Sequence, residues 1–238
     1  MKYLRTFLFY VPFLITGMMA GAVSVFLWPA PYLFRYRIIM SWNNFAIWWL
    51  KITCNIDYAI TGFENIPPAP YVVLSKHQST WETLFLQTRL QPISTILKKE
   101  LLYMPFFGWG LALLKPIAID RKNPREAIKK IHREGIARIE EGLSVLVFPE
   151  GTRTPYGEVG NYARGGAGIA CSAGVPIIAV AHNAGSCWSV PGFVKKPGTI
   201  HVVISKPFAT EGRNSKELTE EVKQWIESEI AKMPAASA

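Results

Sequence analysis

The densest chemistry in the sequence is the block Lys76-His77-Gln78-Ser79-Thr80-Trp81-Glu82, which follows the apolar run Tyr71–Ser75. An imidazole acts well as a base at neutral pH when a carboxylate fixes its tautomer and stabilises the cation formed on taking a proton. A histidine and an acid five positions apart do not share a helix face. His77 and Glu82 therefore meet only if His77 lies in the loop before a helix and Glu82 in its first turn. Ser79 supplies an N-cap for that arrangement. The same Ser79-x-x-Glu82 spacing is also a capping box, in which Glu82 merely reaches back to the Ser79 backbone N–H. Spacing alone leaves dyad and cap open, and one carboxylate can serve both through its two oxygens.

Such a pair needs a scaffold, and the sequence supplies one. After about Asp57, short apolar runs rich in β-branched residues alternate with helical stretches. The expected strands are Tyr58–Thr61, Tyr71–Ser75, Ile93–Leu97, Pro116–Ile119, Ser144–Phe148, Pro176–Ala181 and Thr199–Ser205. Several are apolar without alternation, as strands covered on both faces should be. Asn123-Pro124-Arg125-Glu126 reads as N-cap, first-turn proline and acid, opening a helix that runs to Gly142. Asn214 opens a last amphipathic helix with Leu218, Val222, Trp225, Ile226 and Ile230 on one face. The fold class is α/β, a mostly parallel central sheet flanked by helices. Open sheets of this kind place their chemistry at the carboxyl ends of the strands, where His77 falls.

The 238 residues suffice for one domain with a substantial core. Lysine and arginine outnumber acids 26 to 17, a formal net charge of +9. A basic surface fits nucleic acid, anionic lipid or acidic substrates. There is no zinc-finger spacing, RNA-binding aromatic signature or long basic block, so a nucleic-acid partner is not expected. Cys54, Cys171 and Cys187 are widely spaced and odd in number. They form neither a disulfide framework nor a metal signature and read as reduced thiols facing the cytosol.

The first fifty residues carry much of the apolar excess. No charge falls between Phe7 and Trp28, a stretch long enough to cross ~30 Å of hydrocarbon as a helix. It is too long for a signal-peptide core and runs into Trp-Pro-Ala-Pro. Lys2 and Arg5 precede it and Arg35 and Arg37 follow it, which balances a span against a re-entrant segment. Trp28, Tyr32, Trp42, Trp48 and Trp49 have the amphipathic character of headgroup-level anchors. The expected organisation is a membrane segment over 1–55, an α/β domain over 56–233 and a disordered tail over 234–238.

Three further blocks follow the first in the sequence. Pro116-Ile117-Ala118-Ile119-Asp120-Arg121 and Phe148-Pro149-Glu150-Gly151-Thr152-Arg153 each put charge at a strand end, and Gly174–Val180 opens a later strand. With His77…Glu82 they resemble the four motifs of the glycerolipid acyltransferase family, most nearly the bacterial 1-acyl-sn-glycerol-3-phosphate acyltransferases. The resemblance covers about residues 71–180. The Phe-Pro-Glu-Gly-Thr-Arg block is specific, whereas a lone His-x-x-x-x-acid is weak. The family's first motif usually carries Asp where this chain has Glu82, one methylene longer.

The resemblance implies transfer of an acyl group from acyl-CoA or acyl carrier protein to the hydroxyl of a lysophosphatidic acid, without a resident cofactor or metal. His77 would remove the hydroxyl proton and Glu82 would orient it. Asp120, Arg121, Glu150, Gly151, Thr152 and Arg153 would hold the acceptor, the arginines by forks on its phosphate. Glu150 would orient an arginine, pair with Arg121 or Arg153, or accept from a glycerol hydroxyl. Lys98, or its neighbour Lys99, would serve the thioester oxyanion or the donor's phosphates. Met104, Phe106, Phe107 and Trp109 are candidates for an acyl groove. His132 and His201 read as structural, and His182-Asn183 and Arg164-Gly165-Gly166 as weaker site candidates. The implied place is the bacterial inner membrane with the site facing the cytoplasm. Other lysolipid acceptors, a Ser79-dependent hydrolase lacking a Gly-x-Ser-x-Gly elbow, and a non-catalytic membrane adaptor are the rival readings.

Overall fold

The structure is a computed structural model that describes residues 1–235. The expected tail over 234–238 therefore lies mostly outside the described residues. Two long helices, α1 (Lys2–Ser24) and α2 (Tyr32–Cys54), precede strand β1 (Ile56–Thr61). Then follow β2 (Val72–Ser75), α3 (Trp81–Arg89), β3 (Ile93–Lys98), α4 (Phe107–Ala112), β4 (Ile117–Ile119), α5 (Pro124–Glu140) and β5 (Ser144–Val147). The chain closes with α6 (Gly165–Ala173), β6 (Ile177–His182), the short α7 (Ala184–Cys187), β7 (Gly198–Ile204) and α8 (Ser215–Lys232).

The strands form one seven-stranded sheet in the order β1-β7-β6-β2-β5-β3-β4. All neighbours run parallel except β6 and β7. The central strands β2, β5 and β6 are buried at every residue, which is why their sequences are continuous apolar runs. The edge-side β7 alternates instead. One face of the sheet carries Val73, Leu146, Ile178 and Val180 against Trp81 and Phe85 of α3 and Ile47 and Leu50 of α2. The other carries Val72, Leu74, Val145 and Ala179 against α5, α6 and α8. Leu218, Val222 and Ile226 of α8 are fully covered there, each contributing about 1.5–3 kcal/mol. Helix α6 approaches the sheet so closely that a Cβ on Gly166 would lie 2.4 Å from Leu74 Cδ2.

The two N-terminal helices pack antiparallel. Trp42 Nε1 donates to Thr16 Oγ1 at 3.1 Å, Trp49 Nε1 to the Leu8 carbonyl at 3.2 Å, and Cys54 Sγ lies 3.7 Å from the Arg5 carbonyl. The chain turns between them at Trp28–Pro31, so both outer ends lie at the sheet. Phe9 and Tyr10 of α1 pack on Trp188, and Lys195 Nζ reaches Tyr10 Oη at 2.8 Å. Toward the turn the surface is largely apolar and open, with Phe26 82% and Trp28 69% exposed, and Arg37 is exposed beside them. Residues 2–27 are long and apolar enough to cross a membrane by length and composition.

Candidate active site

Because β2 to β6 run parallel, His77, Asp120 and Phe148 follow strand ends, and Lys98 closes β3, at one edge of the sheet. His77 leaves β2, whose neighbours are β5 and β6. Its ring Nδ1 lies 2.9 Å from Glu82 Oε1. The Glu82 side chain has no exposed surface, while that of His77 keeps 12%.

Glu82 serves the dyad and the helix start together, though not by dividing the work evenly between its oxygens. Oε1 takes the His77 ring and the backbone N–H groups of Gln78 and Ser79, the latter two at 2.8 and 2.7 Å. Oε2 accepts the Ser79 hydroxyl. With a carboxylate accepting three other hydrogens at this spot, Nδ1 of His77 must be the protonated nitrogen. Nε2 is then left with its lone pair. Burial alone would raise the Glu82 pKa. The His182 and His77 imidazoles and the hydrogen bonds from His77 and Ser79 outweigh burial and hold the carboxyl at about 2. Burial also pushes His182 below its ordinary range.

The loop after β5 holds His77 from the other side. Its backbone N–H donates to Glu150 Oε2 at 2.9 Å, and its carbonyl accepts the Thr154 N–H at 2.8 Å. The Phe148 ring stacks on the imidazole with centroids 4.2 Å apart. This loop turns through a 3.0 Å hydrogen bond from Gly151 N–H to the Phe148 carbonyl. Gly151 sits at φ +69°, where a Cβ would be strained although space is open. Thr152 and Arg153 project into solvent beyond the turn.

Several expected partners are rearranged. Glu150 pairs with neither Arg121 nor Arg153. Its Oε1 lies 2.8 Å from Lys76 Nζ, with both side chains fully buried. The carboxylate is thus inside the protein holding His77, where a glycerol hydroxyl cannot reach it. Asp120 is engaged at the surface, with about a third of its side chain exposed, by Lys99 Nζ at 2.6 Å and the Lys122 N–H at 2.9 Å. Lys98 is half exposed, 3.9 Å from Glu100. It stands two strands from β2, ~10 Å at the backbone, and Arg121 three strands away, ~14 Å. Arg153 follows the strand adjacent to His77. Arg121, Arg153 and Arg164 are exposed and make no ion pair among the described residues.

The other histidines are outside the dyad. His182 is fully buried, its Nε2–H on the Lys76 carbonyl at 2.9 Å and its Nδ1 accepting the Ala184 N–H. His132 faces Ser172 on the far helices. His201 gives its backbone N–H to Asn183 Oδ1. Met104, Phe107 and Trp109 are exposed on the segment after β3, beside the N-terminal hairpin. Gly21 of α1 touches the Phe106 backbone there, where a Cβ would meet the carbonyl oxygen at 2.3 Å.

Lys76 carried no signal of its function in the sequence beyond its place beside His77. Ser79 Oγ donates to Glu82 and accepts the Trp81 N–H at 2.9 Å. It is enclosed, and its lone proton is committed. Ser79→Ala is accordingly expected to lower turnover no more than about 10-fold, through a loosened Glu82. A nucleophile's loss would cost orders of magnitude more. Steady-state rates checked with intact-protein mass spectrometry distinguish the two, since a nucleophile would carry a trapped acyl group.

Comparison with known proteins adds to this geometry. The model of the Acyltransferase family matches residues 57–183. A 1-acyl-sn-glycerol-3-phosphate acyltransferase of Pseudomonas aeruginosa is 46% identical over 97% of this chain and 91% of its own length. One from Saccharomyces cerevisiae is 31% identical over 72% of this chain and 58% of its own. Among solved structures, the 1-acyl-sn-glycerophosphate (LPA) acyltransferase PlsC from Thermotoga maritima superposes with a TM-score of 0.83. That match covers 100% of this chain and 98% of the other at 23% identity, and it supports the fold alone.

Proposed function

The chain belongs to the acyltransferase family, and from that premise we propose that it moves a fatty acyl group from an acyl thioester to the free hydroxyl of 1-acyl-sn-glycerol-3-phosphate, giving phosphatidic acid. The observation that carries the mechanism is the Glu82-bound Nδ1–H of His77, which leaves Nε2 as a basic lone pair at the strand edge. In this reading Nε2 takes the proton of the acceptor hydroxyl as that oxygen attacks the thioester carbonyl. The tetrahedral intermediate collapses with loss of the thiolate, which recovers the proton from His77. Glu82 stays anionic throughout and stabilises the transient imidazolium. Phe148 against the ring and the backbone clamps from Glu150 and Thr154 keep the imidazole from turning away.

The acceptor's phosphate meets Arg153, with Arg121 further along the edge, as forks of positive charge without an ion-pair partner among the described residues. Lys98 is assigned to the donor side, where acyl-CoA phosphates or an acyl carrier protein would approach. The apolar, aromatic-tipped hairpin enters one leaflet with Lys2, Arg5 and Lys51 at its outer ends on the cytoplasmic side, and the long side chains of Arg35 and Arg37 near its turn reach toward headgroups. In this reading the site works at the cytoplasmic face of a bacterial inner membrane. It draws its acceptor from the lipid and its donor from solution.

Purified full-length chain in mixed micelles, offered lysophosphatidic acid and zwitterionic lysolipids with acyl-CoA or acyl carrier protein, tests the acceptor. Phosphatidic acid from lysophosphatidic acid alone is expected. Equal acylation of a lysolipid lacking a terminal phosphate would refute the phosphate assignment. In the same assay Arg153→Ala is expected to raise KM for lysophosphatidic acid by about 10- to 100-fold, the worth of charge-assisted hydrogen bonds, with a smaller change in kcat.

A further inference from the structure

The residue before His77 is a lysine with no exposed side-chain surface. Buried lysines are rare, and this one lies between two carboxylates from separate parts of the chain, the loop after β5 and helix α8. Its Nζ is 2.8 Å from Glu150 Oε1, 2.8 Å from Glu227 Oε1 of α8, and 3.0 Å from the Glu158 carbonyl. The Tyr162 hydroxyl donates to the same Glu227 oxygen at 2.8 Å. Burial, together with Glu227 and Glu150, pushes the Tyr162 pKa up, so the phenol keeps its proton. The backbone at Lys76 is pinned as well, its carbonyl by His182 Nε2–H and its N–H by the Val180 carbonyl.

This cluster ends on the base. Glu150 pairs through Oε1 with Lys76 and accepts the His77 backbone N–H through Oε2. The covering loop packs closely on the same carboxylate oxygen, which meets Lys76 as an ion pair: a Cβ on Gly160 would lie 2.7 Å from Oε1. Helix α8, which supplies Glu227, lies outside the residues 57–183 that the family model matches.

We propose that Lys76, Glu227 and Tyr162 form a positioning relay in which helix α8 fixes Glu150, and through Glu150 sets the place of the His77 imidazole. The relay touches no substrate and acts on the rate of proton transfer rather than on binding. It rests on the acyl-transfer reading for its kinetic consequence but not for its structural one.

Two variants approach Glu150 from different directions without touching His77. Glu227→Ala removes the outer anchor of Lys76, and Gly160→Ala presses on the Glu150 carboxylate. Both are expected to lower kcat about 10-fold or more with KM within 2-fold of wild type. Glu227→Gln keeps an oxygen for Lys76 and Tyr162 and is expected to recover most of the rate. The second readout needs no substrate: carbethoxylation of His77 by diethyl pyrocarbonate, located by peptide mapping. A loosened imidazole is expected to react several-fold faster in both alanine variants. Thermal melts establish that the variants are folded. Wild-type kcat and an unchanged His77 modification rate in folded Glu227→Ala and Gly160→Ala would overturn the relay. So would a kcat loss matching the unfolded fraction at an unchanged modification rate. If wild type makes no phosphatidic acid while the modification rates still shift, the reaction reading fails and the relay stands.

Discussion

Replacing His77 by alanine is expected to reduce kcat for phosphatidic acid formation by about 10²- to 10⁴-fold, the range a positioned general base supplies. The change should leave KM for lysophosphatidic acid nearly unaltered, because the acceptor's phosphate is assigned to arginines on other loops. Folding should suffer little. The ring is partly exposed, and the clamps from Glu150 and Thr154 act on the backbone of residue 77, which alanine retains. The alanine does leave Glu82 one hydrogen bond short, but three donors remain on that carboxylate. Steady-state kinetics in mixed micelles beside a thermal melt check both halves. A variant retaining more than a tenth of wild-type kcat would remove His77 from the base position.

The second large effect belongs to Glu82→Gln. The amide can keep its oxygen toward His77, Gln78 and Ser79 and turn its nitrogen to Ser79 Oγ, so the shape of the site persists while the charge goes. Without that charge the imidazolium formed during transfer loses its counter-ion. A fall in kcat of the order of 10²- to 10⁴-fold is expected, as in other histidine–carboxylate pairs converted to the amide. The same carboxylate also links stability to pH. Its folded pKa of about 2 lies below the ordinary value of 4.5. The unfolded chain therefore binds the proton first as pH falls. The contribution, about 3 kcal/mol by linkage, is complete above pH 4.5 and lost as pH drops toward 2. Unfolding by urea between pH 6 and pH 3 should show wild type losing stability that Glu82→Gln does not lose. Parallel pH curves for the two proteins would contradict the burial and charge assigned to Glu82.

What the sequence disclosed and what it withheld divide along range. The central strands were legible because their continuous apolar, β-branched runs have few alternatives, and the boundaries of α5 and α8 because Asn123-Pro124 and Asn214 are local caps. Both asparagine side chains accept the expected backbone N–H, from Glu126 and Lys216. His77 and Glu82 were legible as a block but not as a geometry. Only the fold shows one oxygen gathering three donors around the start of α3. The antiparallel β7 and the hairpin of α1 on α2 depend on pairings between distant residues such as Trp49 and Leu8. The expectation of an arginine beside Glu150 failed for the same reason. Its actual cation, Lys76, and the Glu227 behind it are 151 positions apart and have no shared local pattern.

Direct transfer at His77, without an acyl-enzyme, is open to one measurement. An isotope-labelled acyl thioester is mixed with the full-length chain, with and without lysophosphatidic acid, and free thiol, labelled phosphatidic acid and labelled protein are counted together. One labelled phosphatidic acid is expected for each thiol released, with neither thiol release nor labelled protein when the acceptor is withheld. Thiol release without acceptor, label on the protein, or no labelled phosphatidic acid from either donor would contradict it.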